Sequence, residues 1–494
     1  MCGIMGITRG DSAECITPLL KMLAHRGPDG HGLWQDRCHT FGHTRLSIID
    51  LEGGSQPMTD AGGRMHITFN GEIYNYRQLR LAMGEGPFRT HSDTEAILGL
   101  ARTPDLPEHW VKNLDGMFAF ALADGAEFML ARDPLGIKPL YIGQAQGAMA
   151  FASELKVLAG RATNISEFPP GHIYHARRGL RRYYHLRPTA KDVLDAEVAK
   201  GGIRQRLEEA VRKRLIADVP VGVFLSGGLD SSMIAALARR HKAPLDTFSV
   251  GTEDSSDRPL ARQVSEFLGT RHHERLYDIR EAIDALPEII YYLESFDCAL
   301  VRSAIPNYFL AKLASEHVKV SLSGEGADEL FAGYEYLKAI DAAALDEELL
   351  NITLALHNTN LQRCDRMSMA HGLEVRVPFL DVQVVDYAFR IPIGLKQYGR
   401  ERSEKWILRK VAQDILPENI VWRRKVKFAA GAGLGDKLAD FAHRQISDSV
   451  FQRQRRIAEG QFLRSKEELL YYRIFKQMYP QDELIPLVGR SRSV

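Results

Sequence analysis

At 494 residues, 45% apolar and 26% charged, the chain has the composition of an ordinary soluble globular protein and is too long for one typical core, so two or three domains are expected. A net charge of +1 leaves no electrostatic ground for a nucleic-acid or membrane partner, and no apolar run reaches the ~18 residues of a membrane span. With no secretory-type N-terminus and five scattered cysteines (Cys2, Cys15, Cys38, Cys298, Cys364) lacking Cys-x-x-Cys spacing, the reading is a cytoplasmic protein without a disulfide framework or a zinc cage.

The chain opens with an apolar, strand-like Cys2-Gly3-Ile4-Met5-Gly6-Ile7. If Met1 is removed, Cys2 carries a free α-amine beside its thiol, and an amine with a pKa of about 7.7 to 8 can serve the thiol as base near neutrality. His25-Arg26-Gly27-Pro28-Asp29-Gly30 has turn composition, and Gly42 to Asp50 sets a lone Arg45 before the β-prone run Leu46-Ser47-Ile48-Ile49. After a short strand at 66–68, Asn70-Gly71-Glu72 is compatible with a simple hairpin turn. Thr90 to Glu95 opens a helix, where Asp93 suits the start. The polar stretch Tyr184 to Gly202 marks a domain boundary, dividing the chain into 1–190 and 203–494.

Beyond it, Val219 to Arg240 reads as strand, loop and helix, with the loop Ser226-Gly227-Gly228-Leu229-Asp230-Ser231-Ser232 at the junction. Paired glycines let backbone approach an anion, and the helix start offers N–H groups and a positive dipole end. Asp230 fits such a cradle if it holds Mg²⁺ against phosphate oxygens. Thr247 to Val250 is a further strand, 258–268, 281–293 and 303–316 read as helices, and Val318 to Leu322 is a strand running into Ser323-Gly324-Glu325-Gly326-Ala327-Asp328-Glu329. Alternation of this kind means a parallel sheet with ligands beyond the strand ends, where the two loops can converge and Asp230 and Asp328 become candidate Mg²⁺ ligands, an acidic turn with solvated carboxylates being the alternative for the second loop. Adjacent His272 and His273 point to opposite faces of a strand and read as structural. Gly431 to Gly435 reads as a mobile loop, Trp422 to Lys427 as a basic cluster, and Gly489 to Val494 as a disordered ending.

Cys2-Gly3-Ile4, the Arg45 run, Asn70-Gly71-Glu72 and Ser92-Asp93, followed by Asp115 to Phe120 and Ala131 to Tyr141, resemble the glutaminase domain of N-terminal-nucleophile amidotransferases. The loop at 226–232 resembles the pyrophosphatase loop of enzymes that cleave ATP to AMP and pyrophosphate. With Ser323 to Phe331, Glu374 to Asp381 and Trp422 to Lys425, it is similar to the synthetase domain of glutamine-hydrolysing asparagine synthetases. The resemblance implies an α/β fold: an α/β/β/α sandwich followed by a parallel-sheet ATP-pyrophosphatase domain with a helical C-terminal part. It implies Cys2 as nucleophile, Asn70 and the Gly71 N–H as oxyanion hole, and glutamine held by Arg45, backbone of Leu46, Ser47, Ile48 and Ile49, Glu72 and Asp93. It further implies ATP contacts from Leu225, Ser226, Gly227, Gly228, Asp230, Ser231, Ser232, Val250, Ser323 and Gly324, assistance from Glu325 and Lys425, and Mg²⁺ on Asp230 and Asp328. Glutamine, ATP and aspartate are the implied substrates, and a homodimer is compatible with the family. Phe296 to Ser303 departs from the Thr-Thr-Ile-Arg type of run, so another carboxylate is the alternative acceptor; Arg302 fits either the acceptor's α-carboxylate or a neighbouring acid.

Overall fold

The computed structural model describes residues 2–84, 88–426, 428–458 and 460–492, so that Lys427 of the expected basic cluster and the last two residues of the expected disordered ending lie outside the described residues. In the N-terminal part the described strands are β1 Cys2–Ile7, β2 Gly30–Gln35, β3 Thr40–Arg45, β4 Met58–Thr59, β5 Met65–Ile73, β6 Gly116–Asp124, β7 Glu127–Arg132, β8 Tyr141–Ala145, β9 Ala148–Ala152, β10 Thr163–Glu167, β11 His172–His175 and β12 Gly179–Arg182. They form two six-stranded sheets, β10-β8-β9-β1-β3-β2 and β12-β11-β7-β6-β5-β4. Both are antiparallel throughout. Every residue of β1 is buried, which its glycines and apolar residues permit. Asn70 and Gly71 lie inside the nine-residue β5, so the hairpin-turn alternative is wrong: the strand simply continues past the Asn-Gly pair.

The second part carries β13 Val221–Phe224, β14 Asp246–Gly251, β15 Arg271–Leu276, β16 Val320–Leu322 and β17 Glu374–Arg376 in one parallel sheet ordered β15-β14-β13-β16-β17. The order reverses at β13, so the crevice beyond its carboxyl end is where this architecture opens for a ligand. His272 and His273 sit on β15 with separate partners, Thr247 and Ser249 for the first and Asp246 for the second. The 281–293 segment is two helices, Ile279–Asp284 and Leu286–Leu293, with Pro287 in the first turn of the second. Five helices matter below: α1 Asp93–Ala101, α2 Leu229–His241, α3 Cys298–Ser315, α4 Asn360–Met369 and α5 Lys466–Met478. The third starts five residues before its expected position, because the Asp297 side chain accepts the Leu300 N–H as an N-cap. Gly431 to Gly435 is packed rather than loose: Ser255 Oγ donates to Gly431 O at 2.7 Å, Thr252 N donates to Ala432 O at 2.9 Å, and Leu434 is fully buried.

Between the two parts lies a buried lattice of charges. Arg26, with no exposed surface, donates through Nε to Cys2 O at 3.0 Å, and through Nη1 to Glu154 at 2.7 Å and Asp365 at 2.8 Å. Arg366 donates to Glu294 at 2.9 Å and to Ser153 O at 3.0 Å, and it approaches Glu154 at 3.1 Å. Burial alone would raise the Asp365 carboxyl, but Arg26 and Lys138 outweigh it and hold it at about 2. Removing one member of such a lattice strands charge in a low dielectric. Arg26→Met is therefore expected to cost about 3–5 kcal/mol in denaturant-induced unfolding; an unchanged midpoint would mean that the lattice does not hold the two parts together.

Candidate active sites

The end of β1 is built by pairing. Register sets Cys2 opposite Arg45 on β3, and the same strand end meets β5 of the other sheet, where Cys2 N donates to Asn70 Oδ1 at 3.0 Å. Asn70 Nδ2 is buried and has no hydrogen-bond partner among the described residues. A buried amide N–H without a partner costs free energy unless something at the site accepts from it. Gly71 follows because nothing larger fits: a Cβ there would lie 2.1 Å from Met117 O. Burial pushes the Cys2 thiol up, and the Leu46 N–H and Arg45 counteract it.

Arg45 makes no ion pair among the described residues, donating instead to Asp50 O at 2.6 Å and Leu51 O at 2.9 Å, so its charge is not neutralised by a carboxylate. Of the run after it, Ser47 N is engaged by Asp29 Oδ2 and Ile48 O accepts from Asp218 N. Asp93, at the start of α1, accepts from Ile73 N at 2.9 Å, and burial raises its carboxyl to about 6. Glu72 is also buried, raised by burial and by Glu374 and Asp93, and lies 3.4 Å from Arg376 of the parallel-sheet part. Arg45 and the two carboxyl groups of Asp93 and Glu72, the latter faced by Arg376, are groups of the kind that orient a free amino acid.

The second site is a cavity of about 600 Å³ at the ends of β13, β14 and β16. Its walls include Leu225, Ser226, Gly228, Asp230, Ser231 and Val250 on one side and Ser323, Gly324, Glu325, Asp328 and Lys425 on the other. The two expected loops therefore do converge. Gly227 and Ser232 do not line it: Gly227 makes the turn at φ +70°, where a Cβ would strike Ala261 N and Leu260 at 2.6 Å, and the Ser232 hydroxyl is buried. Ser226 Oγ receives Gly228 N and meets Ser231 Oγ at 3.1 Å, closing the loop on itself at the head of α2.

Asp230 and Asp328 converge on one cation that the sequence did not reveal. Lys405 Nζ lies 2.6 Å from a carboxylate oxygen of each, and Lys425 Nζ lies 2.7 Å from Asp328 and 3.8 Å from Asp230. Burial acts to raise the Asp328 carboxyl, yet the two lysines hold it well below its usual range. Lys405 has a left-handed backbone, φ +54°, unusual for a side chain of its size and stored where two loops meet. It stands among other basic residues, Arg400, Arg402, Arg409 and Lys410, just before the helix Trp406–Ala412, with no local pattern to single it out. Arg363 of α4 is the other omission, forming an ion pair with Glu325.

No cluster of three or more His, Cys, Asp or Glu fit for a metal occurs among the described residues. Two converging carboxylates, with Asp230 Oδ1 carrying no hydrogen bond from the described residues, nevertheless suit Mg²⁺ in its usual mode of one or two carboxylates completed by substrate phosphates. Arg302 is resolved toward a neighbouring acid: Nε donates to Glu467 Oε1 at 2.7 Å, and Nη2 pairs with the other oxygen.

A buried cysteine with an amide donor beside it, in antiparallel sheets, joined to a parallel sheet with converging Ser/Gly/acid loops, defines a two-site amidotransferase-type chain. Comparison agrees: residues 1–185 match the glutamine amidotransferase domain, and 202–344 and 341–492 match asparagine synthase. Asparagine synthetase B of Escherichia coli K12, named as glutamine-hydrolysing, is 38% identical across 100% of this chain and 94% of its own. A probable glutamine-hydrolysing asparagine synthetase of Dictyostelium discoideum is 37% identical over 99% and 96%. A Bacillus subtilis glutamine phosphoribosylpyrophosphate amidotransferase structure aligns over 57% of this chain and 67% of its own with TM-score 0.34 and 18% identity. The chain belongs to the family of glutamine-hydrolysing asparagine synthetases.

Lys405→Met removes the cation between Asp230 and Asp328 and leaves Lys425 to serve both. Thermal and denaturant unfolding should show a loss of about 3 kcal/mol, partly restored by millimolar Mg²⁺. Wild-type stability in the variant, with no Mg²⁺ response, would remove the pair as a cation site.

Proposed function

We propose that the protein makes asparagine from aspartate with glutamine as nitrogen donor, residues 1–190 supplying ammonia and 203–494 consuming it. The observation that carries this reading is the pairing of Cys2 N with Asn70 Oδ1 while Asn70 Nδ2 remains free, set in the same chain as the Asp230–Asp328 convergence.

On removal of Met1 the Cys2 nitrogen becomes an α-amine, positioned by Asn70 to take the thiol proton. Sγ attacks the glutamine amide carbon, and the developing oxyanion accepts from Asn70 Nδ2 and the Gly71 N–H. Ammonia leaves as the thioester forms, and water then releases glutamate. Arg45 holds the glutamine carboxylate, and Asp93 and Glu72 its ammonium.

At the second site the acceptor carboxylate attacks the α-phosphorus of ATP and displaces pyrophosphate. Ammonia then attacks the acyl carbon of the β-aspartyl adenylate, and AMP departs. Lys425, and with it Lys405, stabilises charge on the phosphates, while Glu325, oriented by Arg363, stands beside the reacting carbon. Mg²⁺, bound through Asp230 and Asp328, would neutralise phosphate oxygens. The second reading, the same chemistry on another carboxylate, draws on Ala299 and Leu300, which give the cavity an apolar wall.

Cys2→Ala is expected to abolish glutamine-dependent asparagine formation and to keep pyrophosphate release with ATP, aspartate and ammonium within about twofold of wild type. Loss of both routes would sink the division of labour, and ADP in place of AMP would sink adenylation.

A further inference from the structure

The segment expected to be a disordered ending is instead strapped across the second cavity as far as Arg492. Ser491 N donates to Asp297 Oδ2 at 3.0 Å and Ser491 Oγ to Asp297 Oδ1 at 2.8 Å, and Arg464 Nη1 donates to Ser491 O at 2.8 Å. Asp297 is fully buried and caps α3, so the strap is fastened to the residue that starts the helix. Arg490 stacks 5.3 Å over the Phe296 ring and pairs with Glu468 of α5 at 2.8 Å. Arg490, Ser491 and Arg492 line the cavity together with Ala299, Leu300 and Ser303 from the first turns of α3.

This end of the cavity is the one away from the nucleotide. Further along α3, Asn307 and Leu310 line the same cavity with Phe248 and Val250 of β14, where the adenylate belongs. From Leu300 to Leu310 the helix advances about 15 Å. The first turns of α3 and the strap therefore line one end of the cavity, away from Phe248 and Val250.

The cations at this end of the cavity differ in how far they are neutralised. Arg302 is held in a two-point fork by Glu467, which also accepts from Tyr471 OH at 2.7 Å. Arg490 is committed to Glu468. Among the described residues Arg492 pairs only loosely, Nε to Glu348 at 3.3 Å, with its side chain 55% exposed at the cavity mouth.

We propose that the strap Arg490–Arg492 is the acceptor-side wall of the synthetase site, and that Arg492 binds the acceptor's second carboxylate, the one not adenylated. A guanidinium at that place selects a dianionic acceptor over its decarboxylated analogue. The proposal rests on the aspartate reading and names the group that enforces it.

The test compares aspartate with β-alanine, which keeps the reacting carboxylate and the amine and lacks the second carboxylate. Pyrophosphate release with ATP and ammonium is measured for wild type, Arg492→Gln, Arg492→Lys and Ser491→Ala. Arg492→Gln should raise the aspartate KM at least tenfold and collapse the aspartate-to-β-alanine ratio of kcat/KM by a similar factor. The KM for ATP and the glutaminase rate should stay within twofold, Arg492→Lys should recover part of the ratio, and Ser491→Ala should shift it less. An unchanged ratio in an active Arg492→Gln overturns this proposal alone. Wild type inactive toward aspartate overturns the proposed function and this inference with it.

Discussion

Everything in this molecule depends on the charge lattice around Arg26. A guanidinium without exposed surface reaches the carbonyl of Cys2, the Glu154 carboxylate and Asp365 of α4. Desolvating so many charges is expensive, and an apolar interface would commonly be as stable. What the lattice supplies instead is direction. Each guanidinium and carboxylate accepts only a few geometries, so the two parts of the chain meet in one register.

The consequence passes through a single helix. One stretch of α4 turns Asp365 and Arg366 toward Arg26, Glu154 and Glu294, and the preceding turns send Arg363 to Glu325 and Asn360 to Glu329 and Tyr334. Glu329, raised by burial and by the Asp328 charge to about 7, is thereby tied to the same helix. The groups that reach the first site's lattice and the groups that line the second share about two turns of backbone. The second site is otherwise arranged by opposition: Lys405 and Lys425 face Asp230 and Asp328, so phosphate and cation can each find an ionic partner already in place.

Much of this was legible because the chemistry is local in sequence. Cys2 at a strand start, Asn70-Gly71, and the strand-loop-helix at 219–240 carry their meaning within a few residues, and the structure brings them to two sites. Gly227 and Ser232 belong to the loop without lining its cavity, a distinction of backbone path at the first and of side-chain burial at the second that no string of residues encodes. The lattice was not legible, since Arg26 and Asp365 are 339 positions apart and each alone is an unremarkable charge. Lys405 was hidden for the same reason, and so was the fastening of Ser491 to Asp297, which makes a polar ending into part of a wall.

Joining a glutaminase to an adenylating site in one chain matters only if ammonia passes between them inside the protein. The direct measurement supplies amide-¹⁵N-labelled glutamine together with a large excess of unlabelled ammonium at a pH where both routes run, and reads the isotope in the asparagine amide by mass spectrometry. Internal transfer predicts that the product keeps most of the ¹⁵N while glutamine is saturating. An amide label diluted to the isotopic composition of the bulk ammonium pool would contradict it.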